Sequence, residues 1–257
     1  MKKINLAITL FSMVFTMNAQ IATFKKQLVK PVQLSYYALN HLGDTSSIVD
    51  NEIAKETVLQ TYTFKDPFLG NITVYDERNP LQQLVYYKNT QNVVLLDNQL
   101  SVKEKIALLE KYPELDAVYA ALTAQSSIWI FDQVSKRWCT LSVQQQHPNF
   151  ISNPILSYDF ITTSGNFAYW QKENVVYGID IYGKILEEIK LPSLAKLLAI
   201  NGNYLLYNVN GLVFLENIET KQKQQLKEAG ADVIEANFVA KNLSLLTANK
   251  LYLYNIN

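Results

Sequence analysis

The stretch "SIWIFDQVSK", residues 127–136, runs through four consecutive apolar or aromatic residues and then closes on Asp132. A short run of this kind, rich in aromatic and β-branched residues and followed by polar residues, predicts a buried strand that ends in a turn. We therefore expect Trp129 and Phe131 to pack in a core. We expect Asp132 to turn the chain, because Asp side chains readily accept backbone hydrogen bonds in turns.

The same pattern recurs along the chain at intervals of 35 to 48 residues. The copies are "SSIVDNEI" (46–53, the weakest), "NVVLLDNQLS" (92–101), "VVYGIDIYGK" (175–184), "LVFLENIETK" (212–221) and "KLYLYNIN" (250–257). The residues that close the apolar runs, and that we predict to form repeated turns, are Asp50, Asp97, Asp132, Asp180, Asn217 and Asn255. A ring of ligand-binding carboxylates at these positions is the less favoured interpretation.

Each copy is flanked by a second apolar strand upstream and by a more charged alternating segment downstream. "LQQLVYY" (81–87) and "SVKEKIAL" (101–108) flank the copy at 92–101. Polarity that rises across four successive strands is typical of a small sheet with buried inner strands and an exposed outer strand. Lysine and glutamate on the outer strand also discourage edge-to-edge aggregation.

Units of about 40 residues, each a small antiparallel meander, resemble the repeats of β-propeller proteins. The resemblance covers about residues 21–257, and the units lack the Gly-His and Trp-Asp marks of WD40 repeats. It implies an all-β propeller of four-stranded blades, with six blades favoured over five or seven. The chain stops after the third strand of the last unit, and "IATFKKQLV" (21–29) has no unit of its own. We therefore predict that these two segments pair in one blade and close the ring.

Two segments favour helices instead. "SVKEKIALLEKY" (101–112) has Ser101 and Glu104 at the spacing of a capping box, with apolar residues on one helical face. "TKQKQQLKEAGADVIEA" (220–236) also has helical character. If both were helices, an α+β fold would replace the propeller. We give more weight to the regular spacing of the repeats than to these local helix propensities, and we therefore keep the propeller.

The first residues have the pattern of a secretory signal peptide. Lys2 and Lys3 precede the apolar run "INLAITLFSMVFTM", which ends in "NAQ". We predict cleavage after Ala19, a signal peptide of residues 1–19 and a single propeller domain of residues 20–257. The apolar run is shorter than the roughly 20 residues of a spanning helix. The expected location is the periplasm, with secretion as the second choice.

Composition and motifs give little evidence for a binding, metal or catalytic site. The formal net charge is zero, which removes the electrostatic argument for binding nucleic acid. His41 and His147 lack partners at the spacing of metal ligands, so the sequence predicts no metal site and no cofactor. Cys139 is the only cysteine, lies in an alternating segment, and is expected to be a buried thiol. No catalytic motif emerges.

Three functions remain open at this point. The first is a non-catalytic protein-binding or scaffolding module with a cell-envelope protein as partner. The second is an enzyme, a hydrolase or lyase with carboxylates at the central channel, and the third is an adhesin. Exposed aromatics on a propeller face would suit partner binding. The candidates are the adjacent pairs Tyr36, Tyr37 and Tyr86, Tyr87, for which packing between blades is the favoured alternative.

Overall fold

The structure, a computed structural model, describes residues 20–31, 33–40, 42–142, 146–230 and 232–257. These residues form 24 strands and one four-residue helix, and the strands make six four-stranded antiparallel sheets. The predicted signal peptide, residues 1–19, lies outside the described residues, as does His41. The protein is a six-bladed β-propeller, as the sequence predicts.

The first three blades are meanders of consecutive strands. Blade 1 contains β2 (Leu34–Leu39), β3 (Thr45–Val49), β4 (Glu52–Glu56) and β5 (Thr61–Phe64). Blade 2 contains β6 (Val74–Asp76), β7 (Gln83–Tyr87), β8 (Asn92–Leu96) and β9 (Val102–Ala107), followed by α1 (Leu108–Lys111). Blade 3 contains β10 (Ala117–Leu122), β11 (Ile128–Asp132), β12 (Arg137–Leu141) and β13 (Asn149–Phe150).

The last three blades complete the ring. Blade 4 contains β14 (Phe160–Ser164), β15 (Phe167–Lys172), β16 (Val175–Asp180) and β17 (Ile189–Lys190). Blade 5 contains β18 (Lys196–Asn201), β19 (Tyr204–Val209), β20 (Leu212–Asn217) and β21 (Lys223–Gln225). Blade 6 contains β22 (Glu235–Val239), β23 (Asn242–Leu246) and β24 (Lys250–Ile256), with β1 (Ala22–Val29) on its outer edge.

The predicted closure is confirmed by the pairing in blade 6. β1 lies antiparallel to β24, from Ala22 opposite Ile256 to Val29 opposite Lys250. The first segment of the domain therefore supplies the outer strand that the last unit lacks. A bulge between Phe24 and Lys26 interrupts this exposed edge, which makes further strand pairing less favourable.

Burial explains the order of strands within a blade. The second strands β7, β11 and β23 are buried at every position, because adjacent blades cover both of their faces. The outer strand β9 is mostly exposed and carries Lys103, Glu104 and Lys105. As expected, Trp129 and Phe131 are fully buried, and they pack with Trp138, Ala168 and Ile179 between blades 3 and 4.

The repeat alignment is wrong by one strand in two units. The opening segment forms β11, which is a second strand, and "SSIVDNEI" forms part of β3 and β4. The copies at 92–101, 175–184, 212–221 and 250–257 are instead centred on third strands. Second and third strands are both covered by neighbouring blades, so their apolar runs look alike in the sequence. The uneven intervals of 35 and 48 residues reflect this shift.

Both helical alternatives are also wrong. Residues 101–112 form β9 and only the single turn α1, and residues 220–236 contribute β21 and the start of β22. Each segment is the outer strand of its blade plus part of a connection. Exposed outer strands are rich in lysine, glutamate and glutamine, and these residues also favour helices. Pairing with the third strand overrides this local preference.

Buried glutamine side chains join adjacent blades. Gln91 of blade 2 accepts a hydrogen bond from the Ala117 amide at 2.9 Å and donates one to the Ala117 carbonyl at 2.8 Å. Gln171 of blade 4 accepts from the Leu197 amide at 2.7 Å and donates to the Ala195 carbonyl at 2.6 Å. An amide side chain matches a backbone donor and acceptor at once, so these contacts extend the ladder from one blade to the next.

Candidate functional site in the central channel

The six first strands, β2, β6, β10, β14, β18 and β22, surround a central cavity of about 560 Å³. These strands all begin at one face of the propeller, which also carries the links from each blade to the next. We call it the connection face. The face where they end, which carries the turns between first and second strands, is the hairpin face. Four charged residues line the cavity: Asp76, Glu77, Arg78 and Glu235. They divide between its two ends.

At the hairpin face, the buried Asp76 forms an ion pair with Arg78, whose side chain is 27% exposed. The Arg78 guanidinium donates from Nε to Asp76 Oδ1 at 2.8 Å and from Nη2 to Asp76 Oδ2 at 2.5 Å. Arg78 Nη1 also donates to the Thr163 carbonyl of blade 4 at 2.7 Å. Asp76 Oδ2 accepts from the Leu122 amide of blade 3 at 2.9 Å. The pair thus links the ends of the first strands of blades 2, 3 and 4.

Glu77 extends this network to blade 1. It accepts hydrogen bonds from the Tyr36 hydroxyl at 2.9 Å and from the Ser46 hydroxyl at 2.6 Å. Only 8% of Glu77 is exposed to solvent, and Tyr36 and Ser46 are buried as well. We call Asp76, Glu77 and Arg78, with these partners, the Arg78 end of the channel.

The pKa values at the Arg78 end follow from burial and pairing. Burial acts to raise the pKa of Asp76, but the charge and hydrogen bonds of Arg78 outweigh it and hold that pKa below its ordinary value. Burial raises the pKa of Glu77, against the opposing effect of the Ser46 and Tyr36 hydroxyls. Burial also raises the pKa of the Tyr36 phenol, and nearby Glu77 adds to this. Tyr36 therefore remains a hydrogen-bond donor.

At the connection face, Glu235 is the first residue of β22 and, in the described part of the chain, the only charged residue lining that end of the cavity. Among the described residues, no side chain or backbone group donates a hydrogen bond to its carboxylate or forms an ion pair with it. Glu235 is exposed to solvent at this end of the channel, yet the surrounding walls remove part of the hydration of its carboxylate. This desolvation raises the pKa of Glu235 to about 7. We call this region the Glu235 end.

The structure places the predicted tyrosines mostly inside the propeller. Tyr36, Tyr86 and Tyr87 are buried, and Tyr37 is partly buried. The Tyr86 hydroxyl donates to the Ala117 carbonyl at 2.6 Å, which is a contact between blades 2 and 3. Of the four, Tyr36 is the one that lines the channel. The tyrosines do not form a common exposed surface.

Five of the six predicted turn residues lie in turns or at strand ends next to them, whereas Asn255 lies within a strand. Asp97, Asp180 and Asn217 end third strands, and the Oδ1 of each accepts two backbone amides of the following turn at 2.8–3.0 Å. Asp132 lies in the turn between second and third strands and accepts from the Ser135 amide at 2.7 Å. Asp50 occupies the corresponding turn of blade 1 with φ at 51°. Asn255 lies within β24, opposite Thr23. None of the six lines the channel.

Other candidate groups lie away from the channel. His147 is exposed in the loop before β13, and Cys139 is buried in β12. Within the described ranges, no group of three or more His, Cys, Asp and Glu residues is arranged to hold a metal ion. The described part of the chain also has no helix of the length and apolarity that crossing a bilayer requires.

The channel residues are the ones that sequence reasoning missed. "VYDERN" (74–79) places one charge at the end of the shortest first strand and two directly after it, and that abrupt change of polarity was the available signal. Glu235 in "VIEANF" (233–238) gave no signal, because a glutamate beside apolar residues is common on exposed strands. Its position at the channel follows only from the ring.

Comparison with known proteins supports the fold. No protein-family model matches the chain, and no curated protein does. A streptogramin B lyase structure matches at 14% identity, with a TM-score of 0.58 and coverage of 88% of this chain and 80% of that one. A virginiamycin B lyase from Staphylococcus aureus, a catalytically inactive His-to-Ala variant with quinupristin, matches at 11% identity and a TM-score of 0.60, covering 91% of this chain and 100% of that one.

Extracellular and surface proteins share the fold as well. The extracellular domain of a hybrid two-component system from B. thetaiotaomicron matches at 8% identity and a TM-score of 0.55, with coverage of 85% of this chain and 33% of that one. PorZ, a surface component of the type-IX secretion system of Porphyromonas gingivalis, matches at 10% identity and a TM-score of 0.51, with coverage of 91% and 38%. At these identities the similarity establishes the β-propeller fold, which serves many functions.

Proposed function

We propose that this protein is an exported β-propeller that acts as a non-catalytic protein-binding or scaffolding module in the periplasm or cell envelope. We further propose that a partner protein docks on the connection face. The observation that carries this proposal is a set of six exposed apolar side chains at the links between blades, on the connection face; we call this set the ring. An extracellular domain and a secretion-system surface component among the structural neighbours favour an envelope location.

The ring has one member at each of the six links between blades. Its members are Val29, Phe68, Leu109, Leu156, Leu194 and Ile234, and they are between 56% and 91% exposed. Single exposed apolar residues need no explanation on a protein surface. Here, however, one lies at every link between blades, and their exposure is unfavourable without a partner. The hairpin face carries exposed apolar residues mainly on blades 1, 2 and 4, including Val58, Leu59 and Ile185.

The Arg78 end of the channel supports a non-catalytic role. Asp76, Glu77 and Arg78 satisfy one another and their neighbours through hydrogen bonds. A general acid or base must be within reach of a substrate proton. The groups at this end are already engaged in joining blades.

An enzyme with carboxylates at the channel remains the second candidate. Glu235 favours it, because a carboxyl group in a cleft with a pKa of about 7 is typical of acid–base catalysis. Two lyases among the structural neighbours agree with this alternative. Catalysis would require a second functional group close to Glu235, and none of the other charged residues lines that end.

Capture from the envelope with matched face variants tests the proposed function. The protein would be purified from its own cell envelope, and an intact mass corresponding to residues 20–257 is expected. The variant Phe68→Ser, Leu156→Ser, Leu194→Ser should lose at least about tenfold of a stoichiometric partner, a change of about 1.4 kcal/mol or more. The control Val58→Ser, Leu59→Ser, Ile185→Ser should retain it. Equal capture by both variants would contradict docking on the connection face, and a cytoplasmic full-length chain would contradict export.

A further inference from the structure

We propose that the Glu235 end of the channel is a binding site for a primary ammonium group carried on an apolar stem, with the Glu235 carboxylate as its counter-ion. This chemistry is shared by a free alkylamine and by a lysine side chain. The site shares Ile234 with the docking surface proposed above, but the Phe68, Leu156 and Leu194 side chains that the docking test changes do not line the cavity.

The charge of the cavity selects a cation. Its lining contains three carboxylates, Asp76, Glu77 and Glu235, and a single cation, Arg78. Arg78 is held by Asp76 and by the Thr163 carbonyl at the other end of the channel. Among the described residues, no lysine or histidine lines the cavity. The carboxylate of Glu235 therefore has no positive partner among the described residues, and an entering cation would supply one.

The walls of the same end select an organic rather than an inorganic cation. Apolar residues near the beginnings of five first strands line the cavity, and they are Ile72, Val118, Phe160, Leu198 and Ile234. One carboxylate cannot replace the hydration shell of a metal ion, which prefers several oxygen ligands. A methylene chain, in contrast, gains from contact with apolar walls, and the cavity volume lies in the range of small-molecule sites.

The ionisation of Glu235 makes binding depend on pH. The titratable or charged groups on the elements packed against β22, in the loop before it and along the rest of the cavity are Tyr36, Tyr37, Tyr75, Asp76, Glu77, Arg78, Tyr119, Lys196 and Asp232. Desolvation is the cause of the raised pKa of Glu235, which is about 7. Alkylamines and lysine remain protonated well above this pH, with a pKa of about 10.4 for lysine. Ammonium binding should therefore strengthen as pH rises and Glu235 ionises.

Titration of the protein with n-butylamine, followed by the NMR signals of the Ile234 and Leu198 methyl groups, tests the site. The neutral probe n-butanol has nearly the same stem, and constant ionic strength with sodium chloride separates specific binding from general screening. We expect saturable shifts with butylamine and at least about tenfold weaker binding of butanol. Between pH 6 and pH 8, the ionised fraction of a carboxyl with a pKa of about 7 rises from about one tenth to about nine tenths. The dissociation constant for butylamine should fall about ninefold over this range.

Variants connect the binding to one residue. Glu235→Gln should weaken butylamine binding at least about tenfold at pH 8 and abolish the pH dependence. Glu188→Gln, which changes an exposed carboxylate on blade 4, should leave both unchanged. Equal binding of butylamine and butanol, or undiminished binding by a folded Glu235→Gln variant, would overturn the proposal.

A lysine-containing tripeptide with blocked ends distinguishes the two sources of the ammonium group. Binding of both butylamine and the peptide supports the site and identifies a side chain of a partner as a suitable ligand. Binding of butylamine alone supports the site and identifies a free amine. The result is separate from the envelope capture, since loss of partner docking leaves butylamine binding intact.

Discussion

The two ends of the central channel are built from the same six strands, but they differ in whether their charged side chains have partners within the fold. At the Arg78 end, Asp76 and Glu77 are buried and Arg78 is partly exposed, and each has partners from neighbouring blades. At the Glu235 end, one carboxylate stands among apolar walls without a partner among the described residues. A charged group with its hydrogen bonds made inside the fold is part of the scaffold. A confined charge that lacks them is available to a ligand.

Removing the cation of the Arg78 end should have the largest effect. Arg78→Met leaves Asp76 buried and unpaired, and loss of one partner of a buried ion pair costs about 3–5 kcal/mol of the free energy of unfolding. Urea denaturation measures the change. The double variant Asp76→Asn, Arg78→Met should be more stable than Arg78→Met alone. A loss below about 1 kcal/mol in Arg78→Met would show that the two ends do not differ as described.

Near the connection face, amide groups rather than charges hold the blades together. Gln171→Ala removes the partners of the Leu197 amide and the Ala195 carbonyl, and the buried polar groups left behind should cost about 2 kcal/mol. Gln125→Ala is the control, since Gln125 is exposed and its side chain contacts only the Tyr182 hydroxyl. Its free energy of unfolding should change by less than about 0.5 kcal/mol. Equal stability of the two variants in urea would mean that Gln171 does not join blades 4 and 5.

The pH dependence of stability should show the smallest difference. Glu235 has a raised pKa, so the folded state binds a proton more readily than the unfolded state between the ordinary value of 4.5 and about 7. Its contribution is therefore favourable at low pH and is lost as pH rises through this window. The urea midpoint should fall less between pH 5 and pH 8 in Glu235→Gln than in the wild type, with Glu77 accounting for part of the remaining decrease. Identical profiles would contradict the raised pKa of Glu235.

Asp76 should behave in the opposite sense. Its pKa is lowered, so its contribution to stability is present above the ordinary value of 3.8 and is lost as pH falls through the folded-state value. The acid limb of the same urea series reports this loss. Asp76 and Glu235 thus change the stability in opposite directions and in different pH ranges.

The sequence predicts the propeller well because each repeat contains the same succession of apolar, buried strands and a charged, exposed outer strand. The apolar runs of β8, β16 and β20, the charged outer strand β9 and the unpaired segment at 21–29 are enough to define the units and their closure. It was harder to predict which strand of a blade each apolar run forms. β11 and β8 are both apolar and end beside an Asp, although one is a second strand and the other a third.

The site could not be predicted in the same way, because its contacts are distant in sequence. Arg78 binds Thr163, which is 85 residues away, and Glu77 binds Tyr36 across 41 residues. Glu235 acquires its raised pKa only when six strands enclose it. Local patterns reveal where a strand lies, but they do not reveal which ends of six strands converge.

The closure of blade 6 also has a mechanical consequence. Gln20 and Asn257 meet at the hairpin face, where the Asn257 side chain donates to the Gln20 carbonyl at 2.7 Å. A force that separates these two residues would detach β1 from β24 progressively, because it breaks the hydrogen bonds between the two strands one after another. A tether attached at either residue would leave the connection face pointing away from its anchor.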